Sequence, residues 1–168
     1  MTSLARPFTD FQITTVTGGP FFIGELFQSK FNDEAPEYGH SVIAFWRKSW
    51  SHFVPVCYAN MLLHERVILV GGAMTDGRVF REIPAEVRQE IKDAGGLYYS
   101  VLKYSFDHFA DECDAFFGYA ADARALKVDL AAGFEHTPHQ HLIVHWHKPL
   151  GNWRKKRLVE KIHRLGPF

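Results

Sequence analysis

The chain has 168 residues, 46% hydrophobic and 15% aromatic, which is enough for one sizeable core and short for two domains. Its 19 basic and 19 acidic residues cancel, so no global field draws nucleic acid or an anionic membrane, and two distant cysteines, Cys57 and Cys113, provide neither a disulfide framework nor a metal quartet. No apolar run approaches membrane-spanning length and the N-terminus lacks a basic region followed by an apolar core, so the expectation is a single cytoplasmic domain over residues 1 to 168.

In chain order, residues 11 to 17 mix β-branched and polar side chains and end at Gly18-Gly19-Pro20, which predicts a first strand. Phe22, Leu26 and Phe27 then fall at helical spacing, ahead of an acidic loop over residues 32 to 39 that contains Pro36. Residues 41 to 46 and 53 to 63 are rich in strand formers around a polar turn and predict an antiparallel hairpin, with Pro55 arguing for an edge or a bulge. Val67, Ile68, Leu69 and Val70 form a continuous apolar run, as expected of a central strand covered on both faces. A turn at Thr75-Asp76-Gly77 predicts residues 79 to 83 as the return arm of another hairpin, stopped by Pro84.

Pro84 at a first helical position, with Val87 and Ile91 one turn apart, predicts a short helix ending at Gly95-Gly96. Leu97, Tyr98, Val101, Leu102, Phe106 and Phe109 make the apolar stripe of the next helix, opposite Lys103, Asp107 and Asp111. Residues 115 to 120 form a run of strand length. Asp122 is placed to cap a following helix, on which Leu126 and Leu130 share a face before Gly133 takes the left-handed C-terminal position. Leu142, Val144 and Trp146 alternate with more polar residues as in a half-buried strand. A basic amphipathic helix over about residues 152 to 165 closes the chain, with Leu158, Val159 and Ile162 among its arginines and lysines. Such a basic face is ordinarily solvated; the other reading is contact with a cofactor phosphate or a nucleic acid.

Residues 122 to 134 resemble the C-terminal helix motif of the GCN5-related N-acetyltransferase superfamily, in which an asparagine, a tyrosine and a Gly-Phe pair recur at fixed spacing. Asp122 stands at the asparagine position, Asp129 at the tyrosine position, and Gly133-Phe134 at the Gly-Phe pair. The order of elements is similar over roughly residues 10 to 148. The resemblance implies an α/β fold of the acyl-CoA N-acyltransferase type, a mixed and mostly antiparallel central sheet flanked by helices. It also implies acetyl-CoA or another acyl-CoA as cofactor, an amine acceptor of unidentified kind, and leaves a homodimer open. Two departures accompany it. The family tyrosine serves as acid to the departing thiolate, whereas an aspartate at 129 is ionised near neutral pH unless burial raises its pKa. The family pyrophosphate loop places an Arg or Gln close before its glycines, whereas Arg88 is well separated from Gly95-Gly96.

Several residues follow as candidates for acyl transfer to an amine. Gly95 and Gly96 would let the backbone approach a diphosphate, with the free N–H groups of the helix beginning at Leu97 aimed at it; the plainer reading is a break between two helices. Glu82 is expected on the strand entering this loop, where a carboxylate takes the amine proton, unless it is only a surface charge. Tyr119 offers a phenol in place of the missing tyrosine, against an ordinary role in packing, and Asp122 is more a cap than a ligand-binding group. The departures also suit a non-catalytic module of the same fold that binds acyl-CoA or a partner. A third reading is metal binding: His139, His141, His145 and His147 all have odd numbers and would share one face of a continuous strand, with Glu135 or His136 nearby, although a histidine-rich surface strand is the simpler account.

Overall fold

The computed structural model describes residues 8–168. In chain order the elements are β1 (Phe11–Val16), α1 (Gly19–Phe31), β2 (His40–Ser49), β3 (His52–His64), β4 (Val67–Thr75), α2 (Gly77–Glu82), α3 (Ala85–Asp93), α4 (Leu97–His108), β5 (Ala115–Tyr119), α5 (Ala123–Ala132), β6 (Glu135–His136), β7 (Leu142–Trp146) and α6 (Asn152–His163). The strands form one sheet in the order β1-β2-β3-β4-β5-β7-β6. Every pairing is antiparallel except β4 with β5, which are parallel because α2, α3 and α4 carry the chain back across the sheet between them.

The sheet is covered on both faces, and the alternation along β4 shows it most directly. Ile68 and Val70 join the core beneath α4, with Val101, Leu102 and Phe106. Val67 and Leu69 face the other way, with Val159 and Ile162 of α6. Ile23 and Phe27 of α1 pack on this second side farther along, against Ile43, Phe45 and Tyr58. The apolar run of β4 is therefore the centre of a three-layer arrangement. The amphipathic face of α6 is covered at Val159 and Ile162, which leaves its arginines and lysines outward.

One expectation is corrected here and another is narrowed. Residues 79 to 83 are not a return arm, since Gly77–Glu82 is the helix α2. Asp76 decides it: the buried carboxylate accepts from the Arg78 and Val79 N–H groups, at 2.8 and 3.4 Å, while its own N–H donates to Val56 O. A capped first turn outweighs the strand preference of Val79 and Phe80. Pro55, expected at an edge or a bulge, lies at a bulge in an interior strand. Phe45 faces Pro55 and Ala44 faces Cys57, so the register slips by one residue where the proline has no N–H to give.

A second bulge shapes the molecule. Ala59 faces Ala73 and Met61 faces Val70, so Asn60 alone opposes Gly71 and Gly72. The parallel pairing of β4 with β5 ends at this place, with Val70 opposite Gly118. An extra residue bends the strand that carries it. From Gly71 onward β4 follows β3 and leaves β5, and a cleft opens between the two parallel strands.

Candidate active site

The cleft has a volume of about 280 Å³ and is lined by Gly71, Gly72 and Ala73 on the β4 side, Gly118 to Asp122 on the β5 side, Tyr98, Ala125 and Asp129 from the helices above, and Phe134 just past the end of α5. Small residues at the strand ends keep it open. Beyond Val70 the edge of β4 that faced β5 has lost its ladder partner. A ligand carrying amide groups is suited to an edge of this kind, because it can take the place of the missing strand.

The chemistry of the cleft is concentrated in one pair. Tyr98 Oη donates to Asp129 Oδ1 at 2.9 Å, joining the first turn of α4 to the second turn of α5. Asp129 is 4% exposed and has no cation beside it among the described residues. Burial pushes its carboxyl up to about 6, against the lowering effect of the Tyr98 hydrogen bond. Burial and the neighbouring carboxylate together hold the Tyr98 phenol well above its ordinary value, so it stays protonated. The aspartate that sequence reasoning expects to be ionised unless buried is buried, and it titrates close to neutral pH.

Local structure explains why Asp129 points inward. Asp122 caps α5, its Oδ1 accepting from Arg124 N and Ala125 N at 2.9 Å each, and those bonds hold its carboxyl below the usual range. At the other end Gly133 adopts φ 116°, and Phe134 N donates to Asp129 O at 3.0 Å as the chain reverses. Phe134 then buries its ring beside Phe106. The helix is thus fixed at both ends with Asp129 on its buried face.

Of the other candidates, Tyr119 and Asp122 line the same cleft. The Tyr119 ring leans to the opposite layer, among the residues packed with α6, at 6.0 Å from the His141 ring and 6.4 Å from Phe168. The phenol that meets Asp129 comes from Tyr98 instead. Sequence reasoning placed Tyr98 in the apolar stripe of its helix; a hydroxyl at the cleft end of that stripe was the available signal.

Gly95 and Gly96 stand at the turn into α4 with φ 100° and 97°, which side chains disfavour. Their N–H groups are engaged, donating to Lys92 O and Ile91 O at 3.1 and 2.8 Å as the cap of α3. The open donors of α4 are those of its first turn, beginning at Leu97, whose side chain is buried. Arg88 lies within α3, outside this turn. Glu82 ends α2 rather than a strand, and it pairs with Lys48 of β2 on the surface.

The histidines do not share a face. β7 spans only Leu142–Trp146, and His141 precedes it with φ 66°, a left-handed turn that breaks the alternation. His139 stacks on His163 of α6 at 3.6 Å and binds Glu160, whereas His145 stacks on Phe106 at 4.0 Å beneath α4. Among the described residues no three His, Cys, Asp or Glu side chains are grouped to hold a metal ion, and no helix is long and apolar enough to cross a membrane.

No protein-family model and no curated protein matches the sequence. Solved structures do match the fold. The ribosomal-protein-S18-alanine N-acetyltransferase from Escherichia coli superposes with a TM-score of 0.55 at 12% identity, over 84% of this chain and 97% of that one. The ribosomal-protein-S5-alanine acetyltransferase from Vibrio fischeri gives 0.53 at 11%, over 88% of this chain and 100% of the other.

Proposed function

The chain has the fold of the GCN5-related N-acetyltransferases, and on that premise we propose that it is an acyl-CoA-dependent N-acyltransferase acting on a small amine. The observation that carries the proposal is the buried Asp129–Tyr98 pair in the cleft between β4 and β5. The cleft suits an acyl-CoA on two counts: the unpaired β4 edge can bond the amides of its arm, and the first turn of α4 presents backbone donors to its diphosphate. When bound, the acyl-CoA supplies a thioester as acyl donor.

Transfer forms a carbon–nitrogen bond, breaks the carbon–sulfur bond and moves one proton from nitrogen to sulfur. Asp129 is suited to carry that proton. As an ionised group with a pKa about 6, it takes the proton from nitrogen, which becomes acidic as the new bond forms, and returns it to the departing sulfur. Tyr98 keeps Oδ1 occupied and the carboxylate oriented, leaving Oδ2 for this work. Asp129 therefore acts as acid to the sulfur in the position where the family uses a tyrosine.

Calorimetric titration with acetyl-CoA tests the first half of the proposal. Ala121 is exposed at the rim of the cleft, so Ala121→Trp fills it without disturbing the core. The parent protein is expected to bind, and the variant to bind at least about tenfold more weakly. Absence of binding at millimolar acetyl-CoA rejects the proposal. Binding without thiol release, across a broad panel of amines, would replace the enzyme by a binding module of the same fold.

A further inference from the structure

A second pocket, of about 340 Å³, adjoins the cleft and shares Gly71, Gly72 and Phe168 with it. We infer that this pocket takes the acceptor, and that the acceptor is a small primary amine with an apolar body and a second cationic group; the inference rests on the acyltransferase reading only for the fate of the amine.

Asn60 is the observation that points to a ligand. It lines the pocket at 3% exposure, opposite the Gly71–Gly72 bulge, and its Oδ1 has no hydrogen-bond partner. A buried carbonyl oxygen without a donor is costly, and few are left so unless something else supplies the donor. The loop at Gly39 closes the other side, where a Cβ would come within 2.7 Å of the same oxygen. An amine N–H fits as the missing donor. Asn60 stands opposite the glycines that also border the cleft, so an amine bound in this pocket is beside the acyl donor's site.

The remaining lining defines the rest of the molecule. Asp33 and Glu34 are the charged residues around the pocket, and no Lys, Arg or His lines it. Neither carboxylate takes part in an ion pair among the described residues. Leu62, Leu69 and Phe27 give apolar walls, and Tyr38, which is 65% exposed, offers a ring face of the kind that attracts cations. Hydrocarbon between an inner amide oxygen and an outer pair of carboxylates describes a diamine. An amine with a carboxylate at its far end would meet like charge.

Cadaverine, pentylamine and δ-aminovalerate have comparable chain length and end in a cation, a methyl group and an anion. In the full chain, kcat/KM for cadaverine is expected to exceed that for pentylamine by about tenfold, and that for δ-aminovalerate by more. The double variant Asp33→Asn, Glu34→Gln should bring the first two within about twofold, and Asn60→Leu should raise KM for both about tenfold while acetyl-CoA affinity holds. If Asn60→Leu does not fold, the surface double variant still decides the matter. Calorimetry with each amine alone separates the two claims: cadaverine binding that the double variant abolishes, in a protein indifferent to acetyl-CoA, keeps the pocket and removes the acyltransferase. Acetyl-CoA binding with equal use of all three amines, or a preference unchanged in the double variant, overturns the inference.

Discussion

Two aspartates of nearly equal burial, Asp114 at 6% exposure and Asp129 at 4%, sit in opposite electrostatic surroundings. Asp114, just before β5, accepts from Arg66 Nη2 at 2.8 Å and Arg154 Nη2 at 3.1 Å, with Lys148 Nζ at 3.8 Å. The Arg66 hydrogen bond leads in holding its carboxyl below the usual range. It fastens the start of β4, the end of β7 and α6 to one point. Asp129 has a phenol where Asp114 has three cations, and burial raises it to about 6. A carboxylate that is paired with cations serves the fold, whereas one left near neutrality in a cleft is poised for proton transfer.

The largest expected effect tests that division by removing the acid. Asp129→Asn keeps the shape and the Tyr98 hydrogen bond but cannot move a proton, so kcat should fall by at least about a hundredfold. Thermal unfolding of the same variant should show the opposite sign. A raised folded-state pKa means that the burial penalty grows as pH rises from about 4 to about 6 and is complete above. At pH near 8 the variant is therefore expected to be more stable by on the order of 2–3 kcal/mol, with the gain vanishing below pH near 4. Equal stability at both pH values would place Asp129 in an ordinary environment.

Asp114→Ala should cost roughly 1–2 kcal/mol at neutral pH, since its cationic partners are half exposed and can be rehydrated. Its lowered pKa gives the reverse pH dependence: the contribution is present above about 4 and is lost as pH falls through the folded-state value. Denaturant unfolding across that range checks it, and an undiminished cost at low pH would contradict the ion-pair account. The smallest effect belongs to Tyr119→Phe. With its ring in the α6 layer, kcat should stay within about twofold of the parent. A large loss would move the proton donor from Asp129 to Tyr119.

How far the sequence carries depends on how local the deciding interaction is. α4 and α5 were legible because their stripes and caps lie within a few residues of one another, as with Asp122, Gly133 and Phe134. β4 was legible from its apolar run alone. α2 was not, since Val79 and Phe80 favour a strand and only the inward position of Asp76 reverses that. The histidine alternation failed for a similar reason, as one left-handed residue at His141 is enough to end it. At the site, Asp129 and Asp122 could be found by motif spacing, and a glycine pair inside a strand was a fair sign of the bulge. The Tyr98–Asp129 bond spans 31 residues and exists only once α4 and α5 pack together. Asn60 gave no sequence signal, because its burial and its lack of a partner arise only when β3, β4 and the Gly39 loop come together.

The most direct measurement is the pH dependence of kcat for thiol release from acetyl-CoA, in the parent protein and in Tyr98→Phe, with the amine that turns over fastest. With Asp129 carrying the proton, kcat should rise with pH to a plateau through an inflection near 6, and Tyr98→Phe should move that inflection upward, because the lost hydrogen bond is what lowers the carboxyl. A kcat without an inflection in this range, or one whose inflection is the same in both proteins, would contradict the assignment of the proton to this pair.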